Sequence, residues 1–281
     1  MFDEDVSIDV TTVGSGDAEL AVVCNVHGDE PTGARALRRF LDDGPTLERT
    51  VTFVVANPPA SACHRRYLDV DMNRVFPGDR DAEDRERRLA AQVVAATADC
   101  ETLSIHTTHA TPEPVAFVSR DDPRALDLAA SLPVSHVVDQ SPVVDGAFSS
   151  QPATVSVEAG KVEQPNAVGK ATMIVRAFLA ARGALSTSPP VHAPETTYYE
   201  LVDQVRKPPG DDSHQLLARN FERVTAGEAY ANTADGPIVA DESFVPILMS
   251  RSGYPEIFGY RGREVGTSIE EAKAAWVEGV S

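Results

Sequence analysis

The chain has 281 residues, enough for one large core or for a core with a smaller domain beside it. Its composition is globular, with 42% hydrophobic residues, and it lacks an apolar run long enough to span a bilayer, which excludes a helical membrane protein. The formal charge of −18 comes from 43 acids against 25 basic residues, only four of them lysine, and so acidic a surface repels nucleic acid and anionic membranes.

In chain order, the acidic start Met1-Phe2-Asp3-Glu4-Asp5 lacks the basic and apolar stretches of a secretory signal. β-Branched and apolar runs predict strands over 19–26, 50–56, 102–106, 114–119, 135–139 and 153–158. Between them, amphipathic periodicity predicts helices over 31–42, 82–98, 122–131 and 165–183. The alternation argues for an α/β layer fold on a largely parallel sheet. The charged stretch Asp81 to Arg88 reads as an ordinary solvated start of the 82–98 helix. The segment Gly183 to Pro190, with two prolines after small polar residues, reads as a linker. Beyond it the helical period fades, and strands are expected over 196–205, 237–239 and 244–249. The expected division is a catalytic domain over 1–187 and a smaller β-rich domain over 188–281.

Cys24, Cys63 and Cys100 show no C-x-x-C spacing, which argues against a disulfide framework and for a reducing cytoplasm. The near absence of lysine in so acidic a chain points to a protein adapted to concentrated salt, which screens self-repulsion.

Two segments concentrate the chemistry. Val26-His27-Gly28-Asp29-Glu30 follows the apolar run Leu20 to Cys24 and offers an imidazole and a carboxylate three residues apart at a strand end. Both donors suit zinc. His106 ends a second strand, and in an open α/β sheet sites gather beyond the carboxyl ends of strands. Three protein ligands would leave a fourth position open, the catalytic arrangement. His109 is the alternative third ligand; His106 is preferred because it directly follows the strand. Glu158 ends the β-branched run from Ala153 and can take a proton from water and pass it to a leaving nitrogen. Asn73 and Arg74 lie in a loop closed by Pro77-Gly78, and amide beside guanidinium is a grip for a carboxylate. A second arginine, Arg65 or Arg66, can polarise a carbonyl, and Asp69 or Asp71 is either a surface acid or an orienting group for the arginines.

His-Gly-Asp-Glu at 27–30, Arg-Tyr-Leu-Asp-Val-Asp-Met-Asn-Arg-Val-Phe-Pro-Gly at 66–78, the strand-end His106 and Val-Glu-Ala-Gly at 157–160 together resemble the succinylglutamate desuccinylase and aspartoacylase family of the zinc carboxypeptidase superfamily. The resemblance covers roughly residues 15 to 185, in order and in spacing. It implies a three-layer α/β/α zinc-carboxypeptidase-like domain with a mostly parallel or mixed central sheet, followed by a β-rich C-terminal domain. It implies one Zn2+ per chain held by His27, Glu30 and His106, with Glu158 as general base and acid. It implies that Arg66 stabilises the oxyanion, that Asn73 and Arg74 hold a substrate carboxylate, and that the C-terminal domain lends Tyr254. Aspartoacylases place an arginine shortly before the catalytic glutamate; the stretch 144–150 here has none, which leaves the acyl group and the amino acid open.

The expected activity is zinc-dependent cleavage of the amide bond of a small N-acyl amino acid, N-acetylaspartate-like or N-succinylglutamate-like. The expected partner is that small molecule, not nucleic acid or membrane, with homo-oligomerisation left open. Two other readings use the same residues. One is a zinc carboxypeptidase acting on peptides, which would need an open groove. The other is a ligand-binding protein that kept the fold without catalysis, which the retention of every ligand and proton-transfer residue disfavours.

Overall fold

A computed structural model describes residues 6–186, 195–208, 214–254 and 256–278. The elements in order are β1 (Asp9–Val13), β2 (Leu20–Cys24), α1 (Thr32–Asp42), β3 (Val51–Val55), α2 (Pro58–Ala62), α3 (Arg85–Ala96), β4 (Glu101–Thr108), β5 (Val115–Val118), α4 (Pro123–Ala130), β6 (His136–Asp139), β7 (Thr154–Lys161) and α5 (Ala167–Ala181). The C-terminal part adds β8 (Thr197–Arg206), β9 (Gln215–Leu216), β10 (Ala229–Thr233), β11 (Gly236–Val239), β12 (Val245–Ile247), β13 (Ile257–Gly266) and α6 (Ile269–Glu278). Short 3₁₀ turns lie at Met72–Arg74 and Phe148–Ser150.

The central sheet is mixed and runs β1-β3-β2-β4-β7-β5-β6-β8-β13-β12. Strands β3, β2, β4 and β7 are mutually parallel, β5 turns antiparallel to β7, and β6 and β8 follow β5 in parallel. A smaller antiparallel sheet, β11-β10-β9, stands apart in the C-terminal region. Period-2 alternation sorts the side chains of the sheet onto its two faces. Leu20, Val22, Cys24, Leu103, Ile105, Val155 and Val157 join α1, α4 and α5 in one core. Val23, Val54, Leu89 and Val93 form the core between the opposite face and α3. Phe40 and Phe178 are fully buried in the first core, where truncation to alanine costs about 3–5 kcal/mol.

This alternation also places the chemistry. In β4 and β7 the residues between the apolar ones are Ser104 and His106, and Ser156 and Glu158. The register sets Ser104 beside Ser156 and His106 beside Glu158. Polar groups from two neighbouring strands therefore share the face opposite the first core, at the carboxyl ends of β2, β4 and β7.

Several expectations are corrected. β1 was not foreseen: it is a mostly exposed strand that, among the described residues, pairs with β3 at the sheet edge, so it carries little hydrophobic signal. β13 and α6 appear where the helical period was read as fading. Ala272 and Trp276 of α6 bury themselves in the same core as Tyr198 of β8. The strand expected over 244–249 stops at Ile247, because Leu248 takes a left-handed φ of 48° and Asn220 bonds both backbone groups of Met249. The start of α3 is not simply solvated, since Glu86 is wholly buried. The expected linker prolines and the 187/188 boundary lie outside the described residues. On the described side, β8, β13 and β12 continue the central sheet.

Candidate active site

The turn after β2 is built on a strained, heavily bonded backbone. Asn25 adopts a left-handed φ of 53°, accepts the Ala34 N–H and donates to Ser61. A Cβ on Gly28 would fall within 2.5 Å of the backbone of Ala60, Ser61 and Arg65, so only glycine fits there. The Gly28 N–H donates to the Arg66 carbonyl at 3.0 Å, locking the turn to the next loop. This turn delivers His27 and Glu30, and the C-terminal half of β4, which continues to Thr108, delivers His106.

The three side chains converge in a buried cluster. His27 Nδ1 lies 2.6 Å from Glu30 Oε1, and His106 Nδ1 lies 3.2 Å from Glu30 Oε2. One donor atom from each residue lies within 4.8 Å of the others. The outer ring nitrogens are fixed as well. His27 Nε2 meets Asp71 Oδ1 at 3.1 Å and His106 Nε2 meets Ser104 Oγ at 3.0 Å. An oxygen partner on the far nitrogen holds an imidazole's orientation and tautomer, the usual support for a metal-ligating histidine. Glu30 also accepts the Thr107 N–H at 3.1 Å.

Burial works against charge throughout this cluster, and the neighbouring charges outweigh it. For Glu30, burial raises the pKa, yet His27 and His106 hold it well below the usual carboxylate range. Burial and Arg66 both disfavour a charged His27, yet Glu30 and Asp71 raise it to about 8. Asp71 is half-buried and is held far below its ordinary value by His27 and Arg66.

The 66–78 loop supplies the cations. Asp71 is its hub: Oδ1 accepts the Asn73 N–H at 2.9 Å, capping the 3₁₀ turn, and Oδ2 accepts Arg66 Nε at 3.1 Å. Arg66 also reaches Glu30 at 3.6 Å and lies over the Tyr254 ring, 5.8 Å from its centroid. Asn73 Oδ1 accepts the Phe148 N–H at 2.8 Å, so its amide NH2 is the end left to donate. Arg74 donates to the Asn73 carbonyl at 2.6 Å and to the Tyr260 hydroxyl at 3.3 Å.

Glu158 stands beside His106 in the register. Its Oε2 is buried with no hydrogen-bond partner among the described residues. Burial first, and then the charge of Glu30, push its carboxyl up to about 8. His27, Glu30, His106, Arg66, Asn73, Arg74, Glu158 and Tyr254 all line one pocket, whose remaining wall includes Phe117, Gln140 and Leu248.

The candidate ligands, Glu158, Arg66, Asn73, Arg74 and Tyr254 thus meet at one place. His109 lines the pocket without joining the three-donor cluster. The open choice between Arg65 and Arg66 resolves geometrically: Arg65 is exposed, and Arg66 points into the cluster. Asp71 is the orienting acid, whereas Asp69 pairs with Arg85 at 2.8 Å. Ser104 and Tyr260 were missed. Ser104 was legible in principle, two residues before His106 on the same strand face. Tyr260 was not, since it reaches Arg74 only through the placement of β13 in the sheet.

The profile for the succinylglutamate desuccinylase/aspartoacylase catalytic domain matches residues 17–181, more than half of the chain. A succinylglutamate desuccinylase of Vibrio cholerae is 23% identical over 254 residues, covering 79% of this chain and 72% of the relative. A probable aspartoacylase of Parasynechococcus marenigrum is 30% identical over 124 residues, 40% of this chain and 41% of that protein. Among solved structures, murine aminoacylase 3 superposes with a TM-score of 0.70 at 18% identity, covering 89% of this chain and 97% of that one. The product-bound ectoine utilization protein EutE (DoeB) of Ruegeria pomeroyi superposes with a TM-score of 0.73 at 17% identity, covering 91% and 87%. At those identities the superpositions establish the fold, and the profile match establishes the lineage: the chain belongs to the succinylglutamate desuccinylase/aspartoacylase family.

Proposed function

We propose that this protein is a zinc-dependent deacylase that hydrolyses the amide bond of a small N-acyl amino acid. The observation that carries the reading is the buried His27–Glu30–His106 cluster with the Glu158 carboxylate, whose Oε2 has no partner among the described residues, and two guanidinium groups around one pocket. Relatives named for removing acyl groups from amino acids support the reaction class.

The donor set fits zinc. Two imidazole Nδ1 atoms and a carboxylate face one another, and oxygen partners hold the outer imidazole nitrogens. When bound there, zinc supplies Lewis-acid polarisation of the scissile carbonyl. The chain's own groups do the rest. Arg74 and the Asn73 amide hold the free carboxylate of the substrate, a charge-assisted grip. Arg66, held by Asp71 and Glu30, presents positive charge where the carbonyl oxygen becomes negative. Glu158, its carboxyl pushed up to about 8 by burial and Glu30, accepts a proton from the attacking water and returns it to the leaving nitrogen. A bound cation would lower that pKa and favour the base form. Tyr254 covers the Arg66 side of the pocket.

The test is a metal assay joined to a substrate panel on the full chain. About one zinc per chain is expected in the wild type and after His109→Ala, and a large loss after His106→Ala. Full zinc occupancy in His106→Ala would refute the ligand assignment. Free N-acyl amino acids should be cleaved far faster than longer peptides. Preference for peptides would favour a carboxypeptidase, and zinc binding without turnover on any amide would favour a ligand-binding protein.

A further inference from the structure

Outside the groups assigned so far, the site loop rests on a buried charge. Glu86, in the first turn of α3, is 0% exposed. Its Oε1 accepts the Leu68 N–H at 2.7 Å and Asn57 Nδ2 at 3.3 Å. Its Oε2 accepts the Asp69 N–H at 3.0 Å and the Val70 N–H at 3.2 Å. Three successive backbone amides converging on one carboxylate form an anion cradle. The loop answers in kind, since Asp69 Oδ2 accepts the Arg85 N–H at 2.9 Å. Helix and loop therefore clasp each other in both directions.

The clasp sits in the middle of the machinery. The three amides lie between Arg66 on one side and Asp71, Asn73 and Arg74 on the other. Asn57 caps α2 two residues after β3, and its N–H donates to the Asn25 carbonyl, two residues before His27. One carboxylate thus joins the cationic loop to the strand ends behind the three-donor cluster. An acid that served only the helix dipole would sit at the surface. A wholly buried charge is tolerated when its oxygens are fully bonded, and here the loop's backbone supplies most of the bonds.

We propose that Glu86 is a positioning residue of this active site. By gathering the 68–70 amides it sets the register of the loop, and so aims Arg66, Asn73 and Arg74 into the pocket. It touches no substrate itself. The kinetic arm of its test rests on the deacylase reading above; the exchange arm does not.

Glu86→Gln keeps the shape but turns a donor toward backbone N–H groups that need an acceptor. Glu86→Asp keeps the charge but is one methylene too short to reach all four donors. On the zinc-loaded full chain, amide hydrogen exchange, zinc content, and kcat and KM are measured. The substrates are an N-acetyl amino acid and the same compound with its carboxyl group amidated. In Glu86→Gln the 68–70 amides should exchange at least about 10-fold faster while those of β2, β4 and β7 hold, as expected of a local opening. Zinc should stay bound. KM for the carboxylate substrate should rise about 10-fold, more than kcat falls, and the preference over the amidated compound should shrink. Glu86→Asp should lie between Glu86→Gln and the wild type.

Unchanged exchange at 68–70 in both variants would overturn the proposal. So would faster exchange spread evenly over the sheet, which marks a role in folding alone, or an unchanged substrate preference alongside loosened amides. If Glu86→Gln does not fold, Glu86→Asp decides by the same readouts. If the wild type cleaves no N-acyl amino acid, the deacylase reading fails, and the exchange arm still decides whether Glu86 holds the loop.

Discussion

Replacing Arg120 by Met tests how the C-terminal strands are fastened to the rest of the sheet. Arg120 follows β5, and its side chain is only 12% exposed. Its Nε donates to Asp139, which is fully buried at the end of β6, and its Nη2 lies 3.3 Å from Glu200 on β8. Glu200 in turn accepts from Arg263 on β13 at 2.9 Å. Arg120→Met leaves Asp139 charged and buried, and breaking a buried pair costs about 3–5 kcal/mol. Asp139 keeps donors in the backbone N–H groups of Arg120 and Ser141 and in the Ser141 hydroxyl, and Glu200 keeps Arg263. The lower end, about 3 kcal/mol, is therefore expected, and at about 2–4 °C per kcal/mol in a domain of this size the melting temperature should fall by about 6–12 °C. Calorimetry of the zinc-loaded chain in molar salt measures it. The double variant Arg120→Met/Asp139→Asn removes the orphaned charge and should recover about half of the loss. A single variant melting within about 2 °C of wild type, or a double variant no better than the single, would refute the reasoning.

Three further outcomes are expected. Glu158→Gln should keep zinc and fold but lose about 10²–10⁴-fold in kcat, since Gln accepts no proton; near-normal kcat in a zinc-replete sample would make Glu158 structural. His136, stacked on Phe221 at 3.7 Å, has its pKa lowered to about 4 by burial. The unfolded chain then binds a proton that the folded chain refuses between pH 4 and 6.5, so stability should rise with pH across that window and be complete above it. Partial solvent access limits the gain to about 1–2 kcal/mol, and His136→Phe should flatten the slope between pH 5 and 6.5; an unaltered slope would assign it to other groups. With 43 acids against 25 basic residues, the melting temperature should climb from dilute buffer to molar potassium chloride, as the Debye length shrinks from about 30 Å to about 3 Å; a flat or falling series would remove the halophilic reading.

The core of the site was legible because the signals are local. His106 and Glu158 each lie toward the carboxyl end of a strand that runs two or three residues past the expected end, and the apolar alternation before them says which face they take, while His27 and Glu30 follow a buried strand into a helix. The 66–78 block was legible as a loop because its polar pairs and Pro77-Gly78 admit little else. What escaped depends on distant partners. Glu86 looked like any acid in a charged helix start until the 68–70 amides came to rest on it. Asp71 and Asp69 sit two residues apart with similar neighbours in sequence, yet one orients His27 and Arg66 and the other grips Arg85.

The α/β class, the strand-end donors, the Asn73–Arg74 pair and the acidic composition could all be read from the chain alone, since periodicity and residue chemistry act over a few positions. That β8, β13 and β12 extend the central sheet, that Tyr260 reaches Arg74, and that a buried Glu86 bonds the site loop became visible in the folded chain alone. Those outcomes follow from which strand pairs with which, and from how a buried charge finds its donors. Both are settled by contacts between residues far apart in the chain, where local pattern carries no information.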